Sequence, residues 1–480
     1  MKKIAIITAV FFIALSAFAQ EDFSFFDTIS GTESSMLKIS GNIDTELRFF
    51  TDPDKSIEKQ DIAETSGIGL DISYDGQSSR AIASLSYDQS YDFTTQAGRQ
   101  AALSDMIKEA YIQLFLSWAT IDIGYKKIVW GKGDKVHTFD TINPTDYTDF
   151  INPDYLDRKK AENMLHITIA LSDFANWEIV YVPSFTPDIF PQEGKWVQYE
   201  FSSLSTAIED AINQGATAYA TTVTADYMSA GFSLTEAQTL AKRDAQLWAA
   251  QHAEQALVYD NPEGLDSFIA ASRINASFAG IDMGLSYQYT YDRLPVIDTS
   301  KLSTNYQATI TYNRLQLIGA ELATAPAGFN IKAEAAYFLT EDTDGTDPLV
   351  RNNRIAYLAG VDKDIIPDIN INLQITGSYV LGTDNIKKGD TDYNADSKYS
   401  TTIINAGLTG NMLNNNLYLE AAGAYQIETT TWMLRPRLEY NIDDNTKIGI
   451  SYTYYAGDKD TLFGQFNSSS FLKIYSTIKF

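Results

Sequence analysis

Three histidines (His137, His166 and His252) and no cysteine bound the chemistry open to this chain of 480 residues. Without cysteine there is neither a thiol nucleophile nor a thiolate metal site. No G-x-S-x-G or H-E-x-x-H segment occurs, and Gly131-Lys132-Gly133 lacks the spacing and the following Ser or Thr of a phosphate loop. No catalytic residue, cofactor or metal ligand is expected, and the chain reads as a non-enzyme. What remains is charge held in a stiff segment. Between Trp130 and Arg158 lie Asp134, Asp140, Asp146, Asp149 and Asp154, close in sequence to Lys132, Lys135, Arg158, Lys159 and Lys160. Asn143-Pro144 and Asn152-Pro153 bias that stretch toward extended or turn backbone. A loop of this kind either folds inward to constrict a pore, its charges setting selectivity, or caps a rim while its charges pair in water.

The elements that would position this loop alternate with period two. Leu37, Ile39, Gly41, Ile43, Thr45, Leu47 and Phe49 fall on one face, with Lys38, Ser40, Asn42, Asp44, Glu46 and Arg48 on the other. The pattern returns at 281–291 and 369–379. Strands of a soluble sandwich average five or six residues, whereas these run to about ten or more, the length a tilted membrane-crossing strand needs. Every second connection is short and rich in turn residues, as at Asp75-Gly76-Gln77-Ser78, Ala279-Gly280, Pro326-Ala327-Gly328 and Asp443-Asp444-Asn445. The others are mostly longer: 50–64, 130–162, 184–266 and 382–398. This spacing predicts an all-β fold, a transmembrane antiparallel barrel of about 16–18 strands. One of those strands is expected over 305–324. Residues 202–258 break the alternation and predict helix. Ser233-Leu234-Thr235-Glu236 is a capping box opening an alanine-rich run, and Thr206 and Glu209 stand in the same relation. Such an insert is either a plug for the lumen or a decoration of the rim.

If apolar faces meet lipid, the opposite faces line the interior. Arg or Lys at the midplane of the lipid face would cost about 2–4 kcal/mol. Arg273, Lys332, Glu334, Arg354, Asp362, Glu420, Arg435, Arg437 and Glu439 are therefore placed inward, as is His166. Together with the loop this makes Trp130, Lys132, Asp134, Asp146, Arg158, Arg273, Lys332, Glu334, Arg435, Arg437 and Glu439 the candidates for pore lining and constriction. Arg435 and Arg437 beside Glu439 suggest a basic ladder facing acidic loops. A wide barrel left empty encloses an aqueous channel, which favours constriction over a cap. The formal charge of −26 argues against nucleic acid or anionic lipid headgroups as partners, and predicts a preference for cations if the constriction is acidic.

The first 19 residues carry Lys2 and Lys3, an apolar stretch from Ile4 to Leu15 and the Ala17-Phe18-Ala19 pattern of a cleaved export signal, so the barrel is expected over 20–480. The 29 tyrosines suit membrane interfaces. Leu472, Ile474, Ile478 and Phe480 share a face, and a terminal aromatic on such a strand resembles the signal read by the barrel assembly machinery. One stretch is more specific. Glu109-Ala110-Tyr111-Ile112, Ile123-Gly124-Tyr125, Ile128-Val129-Trp130-Gly131-Lys132-Gly133-Asp134, Ile142-Asn143-Pro144-Thr145-Asp146 and Asp157-Arg158 follow in order. Trp177 to Pro183, then Pro187 and Pro191, continue the pattern. Over 107–195 this resembles a family of Gram-negative outer-membrane β-barrel proteins of unknown function; the helical insert departs from it. The resemblance implies the outer membrane of a diderm bacterium and an association with envelope lipid export. The functions in view are a porin-like channel for small solutes, a barrel component of an envelope lipid or export system, and a surface receptor or adhesin using the insert. The expected partners are outer-membrane lipid, the assembly machinery, and small solutes or lipids.

Overall fold

The structure, a computed structural model, describes residues 36–480; the expected export signal at 1–19 lies outside them. Eighteen strands of 8 to 14 residues close into one antiparallel barrel. They are β1 (Leu37–Phe50), β2 (Ile62–Asp75), β3 (Ser79–Asp88), β4 (Ile107–Phe115), β5 (Ala119–Lys126), β6 (Glu162–Ser172), β7 (Ala175–Val182), β9 (Ile269–Phe278) and β10 (Ile281–Tyr291). The second half is β13 (Arg314–Thr324), β14 (Asn330–Thr340), β15 (Arg354–Ile366), β16 (Ile369–Val380), β17 (Ser400–Met412), β18 (Leu417–Gln426), β19 (Thr431–Asn441), β20 (Thr446–Ala456) and β21 (Phe471–Lys479). Each strand pairs with the next, and β21 pairs back onto β1 from Phe50↔Phe471 to Asn42↔Lys479. Closure leaves no free edge, so the backbone hydrogen bonds of the wall are satisfied within it.

The outward faces carry the exposed apolar side chains, among them Ile68, Ile123, Leu285, Ile318, Leu373, Leu408 and Ile450. Exposed aromatics ring both ends: Tyr74, Trp118, Phe174 and Phe278 at the short-turn end, and Tyr181, Tyr379, Tyr425 and Trp432 at the long-loop end. Bilayer and interface are the solvents that suit such a surface. Gly41 sits outward on β1, where a Cβ would strike the Phe480 ring at 2.5 Å; the glycine makes room for that aromatic.

Three elements stand on the long-loop rim. Helix α1 (Gln96–Met106) fills the β3–β4 connection. The β7–β9 insert forms a hairpin of α2 (Tyr199–Ser229) and α3 (Leu234–Glu254). A small sheet joins β8 (Leu257–Asp260), β11 (Val296–Asp298) and β12 (Ala308–Thr311). This corrects the single strand expected over 305–324. Ala308 to Thr311 leave the wall to pair in parallel with β8, burying Ala308 and Ile310, and the barrel strand begins only at Arg314. The Ser233 capping box is present. Thr206 caps nothing: it lies inside α2, its hydroxyl donating to the Ser202 carbonyl, because that helix already starts at Tyr199.

Candidate functional site

The segment 127–161 between β5 and β6 folds into the barrel and touches its wall on nearly every side. Its neck is tied by Asn143, which is fully buried. The Asn143 side-chain oxygen accepts from the Ile128 N–H at 2.8 Å, and its amide donates to the carbonyls of Lys126 and Lys160, both at 3.0 Å. Asp140 gathers Lys159 at 3.2 Å, the Tyr155 hydroxyl and the Trp130 N–H. Burial and then the Asp140 charge push the Tyr155 hydroxyl well up, which keeps it a donor. The Asn-Pro motif and the charged run thus close one knot at the base of the loop.

From that knot the apex reaches across to Glu334 on β14. One Glu334 oxygen accepts from the Lys132 and Gly133 N–H groups, each at 2.7 Å, with His137 Nδ1 at 3.2 Å. The other accepts the Thr138 N–H at 2.7 Å and its hydroxyl at 2.9 Å. A carboxylate that collects this many donors is a socket, each charge-assisted bond being worth about 1.5–3 kcal/mol. The glycines of Trp130-Gly131-Lys132-Gly133 follow from it. Gly131 has φ +123°, and a Cβ there would meet Glu334 at 2.6 Å and His137 at 2.5 Å. At Gly133 a Cβ would strike the Val136 carbonyl at 2.2 Å.

The crossing continues along the far wall. The Asp134 N–H donates to Gln374 at 2.9 Å, and its carboxylate takes Asn372 at 2.8 Å and Lys332. Lys135 lies 3.6 Å from Glu420 and 3.7 Å from Asp154, and Arg435 lies 4.0 Å from Asp154. On the return path Asp149 makes a two-pronged pair with Arg48 of β1, both contacts at 2.6 Å, and Phe150 packs on Phe466 with ring centroids 4.3 Å apart. Burial works against the charge of Asp146, but Thr148 and Lys160 outweigh it and hold its carboxyl below the usual range.

Beside the loop, on the β6–β15 side, the lumen is filled by an apolar core. Trp130, Phe139 and Ile142 pack there against inward-facing Val180, Leu315, Leu317 and Phe338. These inner faces are apolar because the loop, and not water, covers them. The alternation carries a trace of this: in Leu315-Gln316-Leu317-Ile318 the apolar residues occupy both faces.

The proline-rich exit of β7 belongs to the same unit. The Thr145 N–H donates to Asp188 at 2.7 Å, the Tyr147 N–H to the Ile189 carbonyl at 2.8 Å, and the Tyr147 ring stacks on Phe190. Burial raises Asp188 to about 6, partly offset by Arg293; burial also raises Tyr147 to about 12. Arg293 ties both segments from above, donating to the carbonyls of Thr141, Ile142 and Thr186.

Of the expected lining residues, Trp130 is 1% exposed and lies under Arg273, whose guanidinium bonds Glu178 at 2.9 Å. Glu334 is the socket, and Lys132 meets it through its backbone. Asp146 pairs with Lys160 at 3.1 Å and Arg158 rests on the rings of Tyr147 and Tyr155, both at the neck. Arg437 is matched by Glu420 at 2.6 Å and Glu439 at 3.6 Å. Arg437 is therefore neutralised within its own wall, while Arg435 faces the loop carboxylate of Asp154. Asp134, Lys332 and Arg435 remain partly open. So do Lys135 and Asp154, whose side chains are 52% and 51% exposed. Sequence reasoning had no signal for Gln374 or Gln288, which look like any inward amide until the loop reaches them.

The helical insert does not enter this assembly. Most of α2 and α3 is exposed, and the two helices pack on each other and against Tyr306 beside the small sheet, where Trp248 meets that ring at 4.9 Å. Only Phe201, at the base of α2, joins the core around the loop.

A family model described as "Protein of unknown function (DUF1302)" matches residues 69–480. None of the curated proteins matches the chain. Similar solved structures include OccK11 (OpdR) of Pseudomonas aeruginosa, 8% identical with a TM-score of 0.45 over 92% of this chain and 95% of that one. The outer membrane channel DcaP of Acinetobacter baumannii is 9% identical, TM-score 0.41, over 92% and 97%. OmpF of Salmonella typhi, in its complex with daunomycin, is 10% identical, TM-score 0.41, over 92% and 97%.

Proposed function

The chain belongs to the DUF1302 family of proteins of unknown function, and on that premise we propose that it is a porin-like channel of the outer membrane for small solutes, constricted by its own inward loop. The observation that carries this reading is the crossing of the lumen by 127–161, which ends in the half-exposed charges of Lys135 and Asp154. Gly407 on β17 and Gly360 on β15 send no side chain into the lumen, their nearest neighbours being Asn372 and Gln374. With Asn372 and Asn405 they make the wall of β15–β17 small and polar where the apex faces it. A passage bounded by Asp134, Lys135 and Asp154 on the loop and by Lys332, Arg435 and amides on the wall suits hydrated polar solutes. Its charges alternate in sign, so selectivity between cations and anions is expected to be weak, weaker than the overall −26 suggests.

Single-channel recording of the purified protein in planar bilayers tests this. Small, discrete conductance steps are expected. A protein that is folded by heat-modifiability on gels yet shows no steps at any voltage sinks the channel reading.

A further inference from the structure

The charge-balanced passage lies on one side of the loop; the wall of β1 to β3, on another, is built differently. Its inward residues are small or acidic. Asp44, Gly67 and Asp88 stand in one row across the three strands, and Ser40, Asp71 and Ser84 in another. Thr65, Asp44 and Asp71 lie near the long-loop end, the middle and the short-turn end of this wall, and all three are exposed although they point inward. In a closed barrel an inward side chain is exposed only to the water of the lumen. The loop meets them with a wet surface of its own, where Asp157 is exposed and Leu156 beside it is 58% exposed. Water-accessible groups on both sides mark a lane between the turn Tyr155–Arg158 and β1–β3.

The charges of this lane are not balanced. Asp44 accepts from the Thr477 hydroxyl and Asp71 from the Ser84 hydroxyl, both at 2.6 Å and both neutral donors. Among the described residues, no Lys or Arg forms an ion pair with Asp44, Asp71, Asp88 or Asp157. The basic neighbours on β1 and β21 are engaged by other acids, Arg48 by Glu46 and Asp149, and Lys473 by Glu46 at 3.1 Å. Asp157 is wetted yet ringed by protein; that desolvation and then the Asp154 charge push its carboxyl up, Asp44 adds to this, and Lys127 offsets part of it.

We propose that this lane admits small cationic solutes, metal ions and organic ammonium ions alike, ahead of anions, and that it sets the preference of the whole channel. Unpaired carboxylates along a low-dielectric tube focus their field and concentrate counter-ions there. The passage between β14 and β19, whose acids are matched by Lys332, Arg435 and Arg437, would alone give a permeability ratio near unity. The inference rests on the barrel being a channel and adds which solutes it takes.

Reversal potentials across bilayers carrying the purified protein, in gradients of potassium chloride and of ethylammonium chloride, test it. Both cations are expected to permeate severalfold better than chloride. Asp44→Asn with Asp157→Asn should bring both ratios close to unity while conductance steps persist. Glu209→Gln with Asp210→Asn removes the same charge from exposed positions of α2, where salt screens it over about 10 Å at 0.1 M, and should leave the ratios as in the native chain. Two results would overturn the proposal and leave the channel reading standing. One is clear steps with native ratios near unity; the other is a fall in the Glu209 and Asp210 variant as large as that in the lumen variant. Folded protein without steps would overturn both readings.

Discussion

Two insertions leave the same rim of this barrel and behave oppositely. The loop after β5 turns into the lumen; the insert after β7 rises from the rim as a helical hairpin. The loop has almost no secondary structure of its own, only the single turn Tyr155–Arg158. Its backbone N–H groups must find acceptors elsewhere, and the wall supplies them through Glu334 and Gln374. The hairpin satisfies most of its backbone internally, caps α3 with Ser233 and Glu236, and joins its helices through Tyr227 and Asp244 at 2.6 Å. It leans on the barrel only at its base, where the Tyr199 N–H donates to Gln465 at 2.6 Å and Phe201 enters the core. A segment that cannot close its own hydrogen bonds is the one the lumen can hold.

The contrast breaks most sharply at Glu334. Replacing it by Ala strands several loop donors at once, and the cost to loop docking should be roughly 3 kcal/mol or more. Conductance of Glu334→Ala should rise severalfold over the native channel, and limited proteolysis should nick 132–138. An unchanged conductance and digest would mean the apex is held by something other than the socket.

A smaller effect is expected at Asp188, where the loop meets the β7 exit. Burial raises this acid to about 6, above its ordinary 3.8, so the folded state favours its protonated form. The stability this lends is whole below pH 3.8 and is lost as pH rises through 6. Protease sensitivity of 146–158 should therefore increase across that window and stay flat in Asp188→Asn. A native chain with no change over the same range would place the acid's charge in contact with more solvent than its surroundings indicate.

The smallest effect sharpens the comparison from the hairpin side. Ser233→Ala removes one cap, worth about 1 kcal/mol locally. Amide exchange at the start of α3 should quicken while conductance stays as in the native channel. A change in conductance would show that the hairpin acts on the pore after all.

How far this was legible in the sequence differs by element. Alternation over ten or more residues sufficed for Leu37–Phe50 or Ile369–Val380, since the side-chain period of a strand is a local property. The Ser233 box was legible for the same reason. Thr206 and Glu209 misled because the same four-residue spacing also occurs one turn or more inside a helix. Residues 305–324 misled because a continuous β pattern does not state which partner each part will take, and Ala308–Thr311 chose β8. For the site, the charged loop and its Asn-Pro joints stood out, yet the residues that hold it are spread over β1, β10, β14, β16 and β19.

By itself the sequence determined the strands, their inward and outward faces, the alternation of short turns and long loops, and the helix caps. All of these depend on residues within a few positions of one another. Only the tertiary structure decided that Glu334 is a socket, that Arg437 is neutralised by its wall, and that Trp130 lies under Arg273. Those outcomes hang on contacts between residues up to some two hundred positions apart, such as Thr138 with Glu334, and no local pattern encodes which distant donor a buried carboxylate will meet.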